Sequence, residues 1–198
     1  IQLTIDRLKN KYSNQLEEID KENFKDNLKI INNQIKQIEK LVNEFSDFAR
    51  MPKPILKKNN LVNLLNENIR LLQELDATIE ITFLYNIDKI ILNCDKEQLS
   101  RVFLNLIKNS IESIHQKLEK DSNSSKKIAI ELKDLDNHII LTIFDTGIGF
   151  DNFKSNIKEI LNPYFTTKKN GTGLGLSIVN KIINDHNGKI DFISSKNG

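Results

Sequence analysis

The sequence predicts an α+β protein, a helical hairpin followed by a mixed sandwich of helices and strands. Three features predict it. From Phe24 the apolar residues Phe24, Leu28, Ile31, Ile35, Ile38, Val42 and Phe45 step by fours and threes, the seam of a coiled-coil-like helix. Pro52 and Pro54 then end that helix, because proline lacks an amide donor and disfavours helix in the residue before it. Beyond them, helical and strand patterns come in blocks rather than in strict alternation, which favours a mixed sandwich over a doubly wound sheet.

Ile1, Ile5, Leu8, Tyr12 and Ile19 repeat the seam spacing with less continuity, so two helices around a polar link near Glu17 to Glu22 are expected to form an antiparallel hairpin. Such a hairpin is too thin to bury both apolar faces, and dimerisation into a four-helix bundle is expected. A hairpin packed on its own globular domain is the alternative. Ile1 sits inside the apolar pattern with no initiator Met and no capping residue before it, so further sequence is expected upstream.

The predicted boundaries are 1–51 for the hairpin, 52–60 for a linker and 61–198 for the sandwich. LVNLLNENIRLLQEL has helical period, while ATIEITFLYN and DKIILNC have strand character. Asp95 and Gln98 suit a capping box opening DKEQLSRVFLNLIKNSIESIHQKL, with Leu99, Phe103, Leu106, Ile107, Ile111 and Ile114 toward the core. KKIAIELKDLDNHIILTIFDTG suits two hairpin strands running into a glycine turn. A Gly-poor, lid-like stretch follows. GTGLGLSIVNKIINDHNG is a glycine loop opening a helix, and KIDFISSKNG is expected to be a strand entering a turn.

Composition narrows the function classes. The chain has 198 residues, 38% hydrophobic and 28% charged, with 7 Gly and 3 Pro, which is a folded profile. Its 29 basic against 27 acidic residues give a net charge of +2, no electrostatic reason to expect nucleic acid. One cysteine, Cys94, excludes an internal disulfide framework and a multi-cysteine zinc site. No apolar run approaches the roughly 18 residues of a membrane span, and the start has no signal-peptide pattern, so any membrane attachment is expected to come only through segments outside this chain.

Three constellations carry chemistry. GTGLGLSIV places Gly171, Gly173 and Gly175 ahead of a helix whose unsatisfied first amides and dipole favour an anion such as phosphate. Glycines also gather in plain turns, and this loop lacks the Gly-Lys-Ser/Thr of a Walker loop. IFDTGIGF presents Asp145 at a strand end before Gly147 and Gly149, where backbone can approach a flat ligand. An ionised Asp145 would prefer adenine, whose amino group donates, to guanine, which offers an acceptor there. Asp before Gly is also a common turn. Asn105, Asn109 and Glu112 lie at helical spacing with Lys108 beside them. Amide oxygens can ligate magnesium and lysine can meet phosphate, although a polar helix face can also be merely solvated.

In order and spacing these segments resemble the nucleotide site of the GHKL superfamily, which includes histidine kinases, type II topoisomerases, mismatch-repair MutL and heat-shock chaperone ATPases. DKEQLSRVFLNLIKNSIESI resembles its N box, DTGIGF its first glycine box, NPYFTTK its F box and GTGLGLSIV its second glycine box. The resemblance covers nearly all of the chain beyond Pro54. It implies a Bergerat-type α/β sandwich binding ATP and Mg2+, with Asn109 as magnesium ligand, Asn105 and Lys108 facing phosphates, and Asp145, Gly147 and Gly149 around adenine. Thr166, Thr167 and Lys168 form the phosphate-facing end of the F box, and Gly171, Thr172, Gly173, Leu174, Gly175 and Leu176 wrap the triphosphate beneath a lid.

DRLKNKY followed by VNEFSDFARMPKP is similar to the hairpin of nitrogen-regulation sensor kinases of the NtrY type. That resemblance implies the catalytic region of a cytoplasmic two-component histidine kinase. Its partners would be a second copy, through the hairpin, and a response-regulator receiver domain. It places the phosphoacceptor histidine upstream of Ile1 and a further strand beyond Gly198. His115, His138 and His186 all fall within the ATP domain, so residues 1–198 alone are expected not to phosphorylate themselves. Two rival functions are a non-catalytic ATP-dependent scaffold and a GHKL ATP hydrolase. A hydrolase is expected to carry a glutamate base one turn before the metal-binding Asn, and Asn105 stands there.

Overall fold

The computed structural model describes residues 2–12, 18–149, 157–168 and 171–193. They form two compact units, residues 1–51 with 167–172, and residues 52–166 with 173–198.

In the first unit, α1 (Gln2–Tyr12) packs against α2 (Glu18–Ala49). Glu18 to Glu22, expected in the polar link, already belong to α2, since this charged run has good helix formers and no breaker. Residues 13–17 lie outside the described residues. Ile5 and Leu28 are buried and Phe24 and Ile35 half-buried, while Ile31, Ile38, Val42 and Phe45 stay 46 to 58% exposed. α2 ends at Ala49, and the Arg50 amide closes its last turn on the Ser46 carbonyl at 2.9 Å, just ahead of Pro52.

The second unit begins with a strand where a linker was expected. Lys57–Asn60 forms β1, antiparallel to β3 (Ile91–Cys94), with Asn59 Nδ2 bonding the Cys94 carbonyl at 2.9 Å. Its sequence, KKNN, has no strand period, so the strand is held by pairing rather than by local preference. Asn60 then caps α3 (Leu61–Leu75), its Oδ1 accepting from the Val62 amide at 3.1 Å. A three-stranded sheet runs in the order β2 (Glu80–Tyr85), β4 (Lys127–Leu135), β5 (His138–Asp145), with β2 parallel to β4 and β4 antiparallel to β5. The β4–β5 turn is two residues long and holds Asp136 at φ 52°, the left-handed geometry that tight hairpins demand.

α4 (Lys96–Leu118) crosses between β3 and β4, and α5 (Gly175–Asp185) packs beside it. Ile128, Ile130 and Leu132 of β4 are nearly fully buried, as are Leu65, Leu72, Ile107, Ile114 and Ile182 of the helices, and α4 packs on β4 and β5. Each such side chain stabilises by about 1.5–3 kcal/mol relative to exposure. On α4 the innermost positions are Leu99, Val102, Phe103, Ile107, Ser110 and Ile114, whereas Leu106 and Ile111 are only half-buried. The strand expected in KIDFISSKNG does not form over 189–193, which have the alternating pattern but no ladder in the described structure; 194–198 lie outside it.

Half of the expected capping box is made. Asp95 Oδ1 accepts from the Glu97 and Gln98 amides at 3.0 and 3.1 Å. The reciprocal half is supplied from elsewhere. Asp95 N–H donates to His186 Nε2 at 3.0 Å, and Gln98 Nε2 donates to the Pro52 carbonyl. His186 Nδ1 faces the Ile182 carbonyl at 2.8 Å, so the ring donates there and accepts from Asp95. Burial pushes the Asp95 carboxyl up, but the Ile55, Gln98 and Glu97 amides hold it below the usual range. Burial also raises the neighbouring Cys94 thiol, against the Asn59 amide.

Candidate functional site

α4 gathers the site. Asn105, Asn109, Ser113 and Lys117 recur every four residues, so they run along one side of the helix with about 40° of drift per step. Asn105 anchors its own amide on the Arg101 carbonyl at 2.9 Å and turns Oδ1 toward the start of α5. A Cβ added at Gly175 would lie 3.5 Å from that oxygen, so the N box and second glycine box meet there. Asn109 is half-buried, and Lys108 and Glu112 are exposed.

The first glycine box sits further along the same helix. Asp145 Oδ1 accepts from the Gly147 amide at 2.9 Å, an Asx turn that fixes the carboxylate. The Ile148 amide donates to Ser113 Oγ at 3.1 Å, and Lys117 Nζ donates to the Thr146 carbonyl at 3.0 Å. The Thr146 hydroxyl bonds the Ser125 carbonyl at 2.7 Å, tying the loop to the start of β4. Gly147 has a structural reason beside the one the sequence suggests. A Cβ there would come within 2.1 Å of Ser113 Oγ and 2.7 Å of its backbone carbon, so the seat on helix α4 by itself requires a glycine. Gly149 takes φ +66°, which only glycine adopts freely.

Gly173 also has a double reason. It takes φ +70°, and a Cβ would lie 2.4 Å from the Tyr164 carbonyl carbon, while its carbonyl accepts from the Tyr164 amide at 3.0 Å. The F box and second glycine box are thereby joined backbone to backbone. Tyr164 itself holds φ +68°, a strained value for an aromatic residue. Leu174, fully buried, precedes α5 with no side-chain cap hydrogen bond among the described residues.

Thr166 is exposed in the second unit, whereas Thr167, Lys168, Gly171 and Thr172 group with the first. The Gly171 amide closes a turn on the Lys168 carbonyl at 3.2 Å, and the Thr172 hydroxyl donates to Glu44 of α2. Phe150 to Asn156 and residues 169–170, the rest of the lid-like stretch, lie outside the described residues.

No group of three or more His, Cys, Asp or Glu side chains among the described residues could hold a metal ion. The donors lining α4 are amide oxygens. That set suits magnesium shared with phosphate oxygens, since magnesium takes hard oxygen ligands and few protein groups. Sequence reasoning missed Ser113 and Lys117, although the four-residue repeat from Asn105 pointed to them.

Residues 94–198 match the model of the histidine kinase-, DNA gyrase B- and HSP90-like ATPases. The chain belongs to this ATPase family. It is similar to a putative NtrY-like sensor histidine kinase of Rickettsia felis, 34% identical over 96% of this chain and 30% of that protein. It is also similar to the nitrogen regulation protein NtrY of Azorhizobium caulinodans, 30% identical over 100% of this chain and 25% of that one. The chain thus spans between a quarter and a third of these curated relatives. The nucleotide-free catalytic domain of histidine kinase ThkA superposes with a TM-score of 0.55 at 29% identity, covering 66% of this chain and 81% of that one. ThkA in complex with the response regulator TrrA shares the fold over 98% of this chain and 54% of its own, at TM-score 0.65 and 24% identity. The chain is thus an ATPase-family sandwich preceded by a helical region. No helix among its described residues is long and apolar enough to cross a membrane.

Proposed function

We propose that this chain is the cytoplasmic catalytic region of a two-component sensor histidine kinase. It binds Mg-ATP, passes the γ-phosphoryl group to a histidine on a dimerisation hairpin, and so charges an aspartate of a response-regulator receiver domain. The observation that carries this reading is the convergence on α4 of three boxes, with Asn105 against Gly175 and the Asp145 loop seated on Ser113.

Phosphoryl transfer needs positioning and charge neutralisation more than covalent help from the protein. Asp145 accepts a hydrogen bond from the adenine amino group. The start of α5 and Lys108 meet the phosphates, and Thr166, Thr167, Lys168, Gly171 and Thr172 are further ATP-binding residues in this reading. Asn109 would hold magnesium, which neutralises phosphate charge when bound. The histidine nucleophile comes from sequence outside residues 1–198. Within them, His115 pairs with Asp76, His186 pairs with Asp95 and Ile182, and His138 opens β5. The exposed stripe of α2 supports a homodimer, and the ThkA–TrrA complex supports a receiver-domain partner.

Calorimetric titration with Mg-ATP tests the site. Asp145→Asn is expected to weaken binding by about 1.5–3 kcal/mol, the scale of a hydrogen bond to a charged group, and to reduce discrimination against GTP. Unchanged affinity and selectivity would sink the assignment. With γ-labelled ATP, residues 1–198 are expected to stay unlabelled until an upstream segment carrying a histidine is restored. A restored segment that never labels would favour the scaffold instead.

A further inference from the structure

We propose that Ser113 and Lys117 are positioning residues for base selectivity. They hold the Asp145 loop at a fixed offset from the phosphate-facing amides borne by the same helix. The inference rests on the reading of Asp145 as the adenine contact.

Selectivity between adenine and guanine depends on where the Asp145 carboxylate stands. A charge-assisted hydrogen bond to an amino group weakens steeply with distance and angle, so a small displacement costs discrimination. The carboxylate stands on the last residue of β5, paired with Ile128 of β4, and the chain turns away after Thr146, whose amide bonds the Lys127 carbonyl at 3.1 Å. Two side chains of α4 reach that loop. Ser113 Oγ accepts the Ile148 amide, and Lys117 Nζ donates to the Thr146 carbonyl, so the residues on either side of Gly147 are both pinned. Gly147 closes the arrangement, because its backbone touches Ser113 with no room for a Cβ. On the sheet side Thr146 is held by Ser125, so the loop is fixed from both directions.

The same side of α4 carries Asn105, one turn before Asn109, against Gly175. The helix is continuous from Lys96 to Leu118. Adenine reading and phosphate holding are therefore set off along one rigid rod at successive four-residue steps, about 6 Å each. A base can be read correctly only if its phosphates lie two such steps away, about 12 Å from Ser113 to Asn105. Neither Ser113 nor Lys117 touches the nucleotide in this arrangement. They act through Asp145.

The test is calorimetric titration of the intact chain with Mg-ATP, Mg-GTP and magnesium tripolyphosphate, for the native protein, Ser113→Ala, Lys117→Met and Asp145→Asn. Combining Ser113→Ala with Lys117→Met is expected to lower the ATP-over-GTP affinity ratio about tenfold, as befits loss of two loop hydrogen bonds, while tripolyphosphate affinity stays unchanged. Lys117→Arg, which keeps a donor, is expected to retain the native ratio. A loss shared equally by all three ligands would mean that the pair merely supports the fold, and would overturn the inference. So would an unchanged ratio in a protein where Asp145→Asn does lower it. If Asp145→Asn also leaves the ratio unchanged, the adenine assignment falls, and this inference falls with it.

Discussion

The two units of the molecule treat their apolar residues in opposite ways. The unit from Pro52 onward sinks Leu65, Leu72, Ile90, Ile107, Ile130 and Ile182 to near-zero exposure between helices and sheet. In the hairpin, among the described residues, only Ile5 and Leu28 are buried, while Ile31, Ile38, Val42 and Phe45 face outward along α2 at seam spacing. Among the described residues the hairpin buries few apolar side chains, and the unit from Pro52 onward buries many. A helix whose apolar stripe stays exposed carries information about association rather than about folding alone. The nucleotide unit holds its shape through its own contacts, so the two properties are expected to be separable by mutation.

The largest effect expected is on association. Replacing Ile31 and Ile38 together by Asp would place charge where the dimer seam needs apolar surface, and should weaken association by at least about a thousandfold. Light scattering should then report monomers, with Mg-ATP affinity of the second unit unchanged. If the native chain is already monomeric at high concentration, or if nucleotide affinity falls with association, the separation between the units fails.

How far the sequence reveals each unit follows the same division. Helix α3 was legible from its 3.6-residue period, and the cap of α4 because Asp95 stands directly before another. The β4–β5 hairpin was legible from alternation on both sides of a two-residue turn. Strand β1 was not, since KKNN owes its conformation to β3, a partner distant in sequence that pairs Lys57 with Cys94 and Asn60 with Ile91. KIDFI has the better strand pattern, yet 189–193 form none, because alternation proposes a strand and only a ladder makes one. The boxes of the site were legible as motifs. Their internal reasons were not, for spacing cannot reveal that Gly147 is required by Ser113, or that His186 completes the Asp95 cap.

An intermediate effect contrasts two glycines of one box. At Gly173, alanine would meet both a left-handed φ and the Tyr164 backbone at 2.4 Å, so Gly173→Ala should destabilise the second unit by about 1–3 kcal/mol. At Gly175, φ is ordinary and the nearest atom, Asn105 Oδ1, lies at 3.5 Å. Gly175→Ala should leave thermal stability nearly unchanged, and any loss of Mg-ATP affinity it causes reports approach of the phosphates rather than damage to the fold. Chemical denaturation monitored by circular dichroism, paired with titration, separates the two. Equal destabilisation at both positions would remove the distinction. Neither change should alter association through the hairpin.

The smallest effect expected lies in acid, at the junction of α3, β2 and α4. Asp76 follows the last residue of α3, and its amide closes on the Leu72 carbonyl. Its Oδ1 accepts from both the hydroxyl and the amide of Thr78, at 2.7 and 2.9 Å, and its Oδ2 lies 2.8 Å from His115 Nε2. The Thr78 hydroxyl and then its amide are the chief causes that lower the Asp76 pKa below the ordinary 3.8, against a smaller rise from burial, with His115 contributing less than either. A carboxylate whose pKa is lower in the folded state stabilises the fold above its unfolded value, and that contribution is lost as pH falls through the folded value. Stability should therefore show an Asp76-dependent decline only below about pH 4, and Asp76→Asn should flatten that part of the curve without changing its shape between pH 5 and 8. Because Thr78 outranks His115 among the causes, Thr78→Val should flatten the acid limb more than His115→Gln does. Denaturant midpoints measured at several pH values for the three variants decide the order. If His115→Gln flattens it more, the histidine contact at the end of α4, rather than the Thr78 turn, is what holds the Asp76 carboxylate ionised.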